Sequence, residues 1–258
     1  MSGSAGDAAG EHAFTLLRPE GRGGFVIFCD HASNHVPAGL NRLGLSPAEL
    51  ARHIAWDIGA GAITAILSEL LDAPAILCAT SRLVIDCNRR LESRDLIPEI
   101  SDGTPIPGNR GLSAADRASR IARFFTPYHE AVESVLAARV ASGQTPMALS
   151  IHSMTPSLAG RARPWQIALS SHSDRSWAEP MLAALRRPGD ANVGDNQPYA
   201  LDPNIDFSTP YHALRRNLPY LQVEFRQDEV AEPAGQQSWA RRLAQALAEQ
   251  GLCVLSRR

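Results

Sequence analysis

The chain has 258 residues, 44% of them hydrophobic, with 25 basic and 27 acidic side chains and a formal charge of −2. A chain of this length can bury a complete α/β core. The lack of any long like-charged block, or of a run of about 20 apolar residues, argues against a nucleic-acid tract and a membrane span. All 25 basic residues are Arg, which reads as the bias of an Ala/Arg/Leu-rich chain.

Met1 to Gly10 is a Gly/Ala/Ser segment with neither a basic nor an apolar signal region. Residues 1–22 are therefore expected to be a flexible leader ahead of a single domain over 23–258, in a cytoplasmic protein. The apolar run 24–29 predicts a buried central strand. Ser46, Pro47 and Glu49 then announce a helix with a capping box, continued at helical spacing by Leu50, Ile54, Ile58, Ile63, Ile66, Leu67 and Leu70. Residues 74–79 and 83–87 read as short strands on either side of Thr80-Ser81-Arg82, and the polar, Pro/Gly-rich stretch 92–112 as a lid or binding loop.

Ser113 with Asp116 opens a second long helix, to about Val140. Residues 147–151 form the next predicted strand, which ends in His152. A strand over 164–170, a helix over 173–187, a polar loop over 193–206 and a short helix over 210–217 follow. Residues 218–225 then predict the strand that delivers Glu224, 236–249 a helix, and 252–255 a final strand. This alternation predicts a three-layer α/β/α fold around a largely parallel mixed sheet. Cys29, Cys78, Cys87 and Cys253 lie in or beside predicted strands without a C-x-x-C pair, so they read as small buried apolar residues.

The chemistry collects where strands stop, which is where open α/β sheets build their sites. His31 in Asp30-His31-Ala32-Ser33-Asn34 and His152 at the end of 148–151 hold equivalent positions, and neutral imidazole is the commonest metal ligand. Asp57, set between Ile54 and Ile58 on the apolar side of its predicted helix, is a candidate third ligand, because an unpaired buried carboxylate is costly. A contact to His53 or to an Arg is the structural alternative, and Asn34 competes for the ligand role. Glu224 ends an otherwise apolar strand and suits a general base beside an activated water. Arg82 and Arg89, with Asn88 between them, suit a grip on a substrate carboxylate or carbonyl. His12, His35, His129 and His172 read as surface or capping residues.

The ordered set Asp30-His31-Ala32-Ser33-Asn34, Ala55-Trp56-Asp57, Ser81-Arg82-x-x-Ile85-Asp86-x-Asn88-Arg89, His152-Ser153 and residues 218–228 resembles the N-formylglutamate amidohydrolase family over nearly the whole chain. The resemblance implies a fold of the zinc-exopeptidase and phosphorylase/hydrolase-like kind. It also implies hydrolysis of N-formyl-L-glutamate to glutamate and formate in histidine catabolism. Within the wider zinc carboxypeptidase and aspartoacylase group, His31 and His152 match zinc ligands, Arg82, Asn88 and Arg89 the carboxylate and carbonyl clamp, and Glu224 the general base. Asn34 stands where that group has a ligating Glu, and Asp-His-Ala-Ser-Asn replaces Pro-His-Thr/Ser-Gly, so the chain resembles a divergent branch. The resemblance to that branch implies that Asp195 and Asn196 meet the substrate's amide or backbone end, and that His212 hydrogen-bonds the tetrahedral intermediate, with a structural helix-turn contact as the alternative for His212. The expected partner is a small acidic N-acyl amino acid, with no nucleic acid and no membrane. The alternatives are another N-acyl amino acid or small peptide as substrate, or a carboxylate-binding protein without catalysis.

Overall fold

The computed structural model describes residues 12–251. Seven strands form one mixed sheet: β1 (Phe14–Leu17), β2 (Phe25–Cys29), β3 (Ala75–Cys78), β4 (Met147–Met154), β5 (Ile167–Ser170), β6 (Val193–Asp195) and β7 (Tyr220–Arg226), in the order β1-β3-β2-β4-β7-β5-β6. The central strands β3, β2, β4 and β7 run parallel, whereas β1 on β3 and β5 on β7 are antiparallel. Parallel strands must be covered on both faces, and the sequence of β2, Phe25-Val26-Ile27-Phe28-Cys29, meets that demand by being apolar throughout.

The period of two then sorts the layers. Phe25, Ile27 and Cys29 share one apolar layer with α2 (Ala60–Leu70), α5 (Ala178–Arg186) and α6 (Pro233–Glu249). Val26 and Phe28 pack against α4 (Thr126–Ala141) and the buried segment 83–87. In β4 and β7 the residues Leu149, Ile151, Val223 and Phe225 belong to the first layer. His152 and Glu224 therefore point to the second face, together with Ala148 and Tyr220. The sheet and its two helical layers match the α/β/α expectation.

Local differences from the sequence reading have physical causes. Phe14–Leu17, expected within the leader, is an edge strand paired with Ala75–Cys78. The capping box at Ser46 and Glu49 forms, but its helix stops at Leu50 as α1 (Pro47–Leu50). Residues 51–58 are turns, and α2 begins after Gly59 at φ +81°. A Cβ on Gly59 would stand 2.3 Å from the Val230 carbonyl oxygen, so glycine is required there by both conformation and space.

Residues 83–87 are buried but form no strand, because Val84 N–H bonds back to Ser81 and Asp86 N–H goes to Leu96. Asn109 and Arg120 take the carbonyls of Leu83 and Val84. The second long helix is continuous as α3 (Ala114–Arg120), a wider π turn over Ile121–Phe125, and α4. β4 continues through His152 to Met154, and β6 forms inside the expected loop 193–206. The expected strand 252–255, with Cys253, lies outside the described residues, while Cys29, Cys78 and Cys87 are buried free thiols. No described helix is long and apolar enough to cross a membrane.

Candidate active site

Four parallel strands end at one edge, and the segments that leave them are stitched together there. Asp57 N–H bonds the carbonyl of His31, Ser81 N–H that of His35, and Arg82 N–H that of Ala55. The Ser81 hydroxyl also donates to Ala55 O at 2.8 Å. Residues 31–35, 55–57 and 81–82 thus form one rigid floor beneath His152.

His31, Asp57 and His152 come together on this floor, buried, with one ligand atom from each lying within 4.8 Å of the others. Asp57 Oδ2 is the meeting point, 3.3 Å from His31 Nδ1, 2.9 Å from His152 Nδ1 and 3.2 Å from the Ser153 N–H. The far side of each imidazole faces a second carboxylate. His31 Nε2 is 2.7 Å from Asp86 Oδ1, and His152 Nε2 is 3.4 Å from Asp30 Oδ2. Tyr128 and Ser208 donate hydroxyls to Asp30 Oδ1 at 2.8 and 2.6 Å. Arg82 bridges Asp86 Oδ2, at 2.7 Å, and Asp57 Oδ1, at 3.3 Å.

The charges follow from these contacts. Against the desolvation of burial, His31 and His152 hold Asp57 well below the carboxylate range, and His152 holds Asp30 down to about 2. Arg82 and His31 depress Asp86 in the same way. Burial opposes charge on the imidazoles too, yet the facing carboxylates raise both His31 and His152. Both imidazoles aim Nδ1 at one carboxylate oxygen, Asp57 Oδ2, and the carboxylates around them favour their protonated forms. A divalent cation would compete with protons for these ring nitrogens, and each imidazole already has a carboxylate behind it, as ligating histidines do. The donor set fits, and His31, Asp57 and His152 could hold a metal ion.

Glu224 is the register partner of His152 on the adjacent strand, about 4.8 Å away by strand spacing. It is only 7% exposed and its side chain makes no hydrogen bond to another described residue; burial pushes its carboxyl up to about 7. Both residues line a cavity of about 770 Å³ together with Arg82, Arg89 and Asn88. The segment 92–112 supplies Asp95, Pro98, Ile100, Ser101 and Asp102 to its wall.

Other candidates lie elsewhere or are engaged. Asn88 lines the cavity but is consumed as a clamp. Its Oδ1 accepts from the N–H groups of Phe207 and Ser208, and its Nδ2 donates to Asp206. Arg89 donates to Asn88 O at 3.0 Å and lies 3.7 Å from Asp206. Asn34, expected as a ligand or substrate contact, does not line the cavity, and its amide donates to Leu50 O. Asp195 is bound by Arg175 and Asn196 accepts from Ser171 N–H, so both are tied to the β5–β6 side and away from the cavity.

His212 is fully buried behind the site, 2.9 Å from His129 Nδ1, and burial lowers it to about 3. Expected at the surface, His129 is instead buried and bonds Cys87 O. Of the structural alternatives for Asp57, the contact to His53 is not observed, since His53 lies against Asp102 at 3.3 Å, whereas the contact to an Arg is, through Arg82 at 3.3 Å. Asp30 and Asp86 were visible in the motifs but had no assigned role. Asp30 beside His31, and Asp86 inside the apolar run 83–87, were the available signals.

A three-layer α/β/α sheet with a buried His-Asp-His cluster at its carboxyl edge defines a hydrolase scaffold with a site able to hold a metal. The family model for N-formylglutamate amidohydrolase matches residues 23–231, and the chain belongs to that family. Among solved structures, the gene product Atu2144 of Agrobacterium tumefaciens is 32% identical, with 95% of this chain and 98% of that chain covered and a TM-score of 0.89. The N-formylglutamate amidohydrolase of Ralstonia eutropha JMP134 shares the fold at 20% identity and a TM-score of 0.65, over 92% of this chain and 96% of that one. A search of curated proteins gave no match.

Proposed function

We propose that this protein hydrolyses the amide bond of N-formyl-L-glutamate, or of a close N-acyl amino acid, to glutamate and formate in the cytoplasmic breakdown of histidine, with zinc at His31, Asp57 and His152. One observation carries the reading: a buried carboxyl poised near neutrality, Glu224, faces the same cavity as the His-Asp-His cluster and pairs in register with one of its histidines. When bound there, zinc supplies Lewis acidity toward the amide carbonyl and lowers the pKa of water.

The chain's own residues do the rest. Ionised Glu224 takes a proton from the attacking water and, once protonated, returns it to the departing amine; a pKa near 7 suits both steps. Asp86 and Asp30 hold the two imidazoles in orientation, and Arg82 fixes Asp86 and Asp57 in turn. Arg89, less tightly held at the cavity wall, steadies the negative charge that develops on the carbonyl oxygen.

The test is release of formate and free amine from N-formyl-L-glutamate, beside N-acetyl amino acids and short glutamyl peptides. Formate release fastest from the formyl substrate supports the reading. Faster cleavage of an acetyl or peptidyl substrate would move the substrate within the same chemistry, and cleavage of none would refute hydrolysis.

A further inference from the structure

Three guanidiniums reach the cavity wall: Arg82, Arg89 and Arg163. Arg82 is held by two carboxylates and Arg89 lies 3.7 Å from one. Arg163 is only 8% exposed and has no carboxylate within ion-pair distance among the described residues. Its guanidinium donates to Thr155 Oγ1 at 3.1 Å and to the Tyr199 hydroxyl, and lies 4.9 Å from the centre of the Tyr199 ring. The backbone on both sides is fixed, since Arg163 N–H bonds Pro156 O and Arg163 O accepts from Arg226.

A buried guanidinium without a counter-charge is expensive unless carbonyls or an anion compensate it. The chain's other buried arginines take the first solution. Arg120 donates to Val84 O, Gly108 O and Asn109 Oδ1, and Arg139 to Gly21 O, Gly23 O and Gln144 Oε1. Arg163 has no such acceptors and meets only two hydroxyls. Of its five N–H groups, several remain for the parallel pair of bonds that a carboxylate accepts. Thr155 and Tyr199 can turn their own hydroxyl protons to the same anion.

The geometry points to Arg163, with Thr155 and Tyr199, as the subsite for the side-chain carboxylate of a dicarboxylic N-acyl amino acid; this rests on the amide-hydrolase reading above. Thr155 lies three residues beyond His152, at most about 10 Å along an extended chain. That spacing suits the acid at the end of a substrate side chain, several bonds further from the scissile nitrogen than the α-carboxylate. Arg82, already bridging Asp57 and Asp86, is left to orient the floor of the site.

Kinetics of Arg163→Gln, Arg163→Lys and Tyr199→Phe on N-formyl-L-glutamate and on its neutral counterpart N-formyl-L-glutamine test this. Arg163→Gln should lose about 100-fold in kcat/KM for the acidic substrate, mostly through KM, and change less than about threefold for the neutral one. Arg163→Lys should recover part of the loss, and Tyr199→Phe should show a smaller loss of the same selectivity. Equal losses on both substrates, or none on either, would overturn the assignment.

If the unaltered protein cleaves neither substrate, the reading as a deformylase fails, and calorimetry with glutarate decides the subsite separately. Binding that Arg163→Gln abolishes supports it. Absent binding, or binding that persists in the variant, overturns it.

Discussion

Glu224→Gln separates what the carboxyl does for the reaction from what it does to the fold. As the group that moves the proton, its loss should lower kcat by a factor of about 10²–10⁴ while substrate KM changes little. Its effect on stability has the opposite sign. Burial raises the carboxyl from its ordinary 4.5 to about 7, so ionising it in the folded chain costs about 3 kcal/mol relative to the unfolded chain.

Below pH 4.5 both states hold the proton and the cost is absent. Between 4.5 and about 7 the unfolded chain ionises first, so stability falls as pH rises, and above about 7 the full cost is present. Glutamine keeps the shape and never ionises. Urea unfolding of metal-stripped wild type and variant should therefore give near-equal stabilities at about pH 4 and a variant more stable by about 2–3 kcal/mol at about pH 8. A variant that is less stable at the higher pH would refute the burial argument, and one that keeps activity within tenfold of wild type would refute the proton-transfer role.

Asp57→Asn should abolish high-affinity zinc binding by calorimetry. It should also lower the stability of metal-free protein by about 3–5 kcal/mol, since Asp57 is the shared acceptor for two imidazoles, Arg82 and the Ser153 N–H. Gly59→Ala should cost about 2 kcal/mol or more in thermal or urea unfolding, because Ala is strained at φ +81° and its Cβ would meet the Val230 carbonyl. A Gly59→Ala protein with an unchanged melting temperature would mean that the entry to α2 is not so constrained.

The continuous apolar run at 24–29 and the apolar runs at 147–151 and 218–225 made the central strands legible, and with them the edge where His31, His152 and Glu224 emerge. Asp57 was legible as a carboxylate too close to Ile54 and Ile58 to be left unpaired, although the helix drawn through it stops at Leu50 and resumes only after Gly59. Helical spacing continued across that break and hid it, because the turns at 51–58 also bury Ile54 and Ala55. Residues 83–87 misled in a related way: an apolar run says that a segment is buried, and here side chains and turns rather than neighbouring strands satisfy its backbone.

The roles of Asp30 and Asp86 depend on which imidazole nitrogen each faces, a relation between segments that local pattern does not encode. Asn34, Asp195, Asn196 and His212 were polar residues near motifs. Each proves to be taken up by a neighbour: a carbonyl, a guanidinium, a backbone N–H or another imidazole. Arg163 escaped notice because the hairpin that carries it, Ser157–Leu158 with Arg161–Ala162, has no motif and reaches the cavity only through the fold.

The most direct test of the account is formate release from N-formyl-L-glutamate by chelator-stripped protein, with and without added zinc. The account predicts silence in the stripped arm and restored turnover with about one zinc per chain. Full activity in the stripped arm, or silence in both arms from folded protein shown to retain zinc, would contradict it.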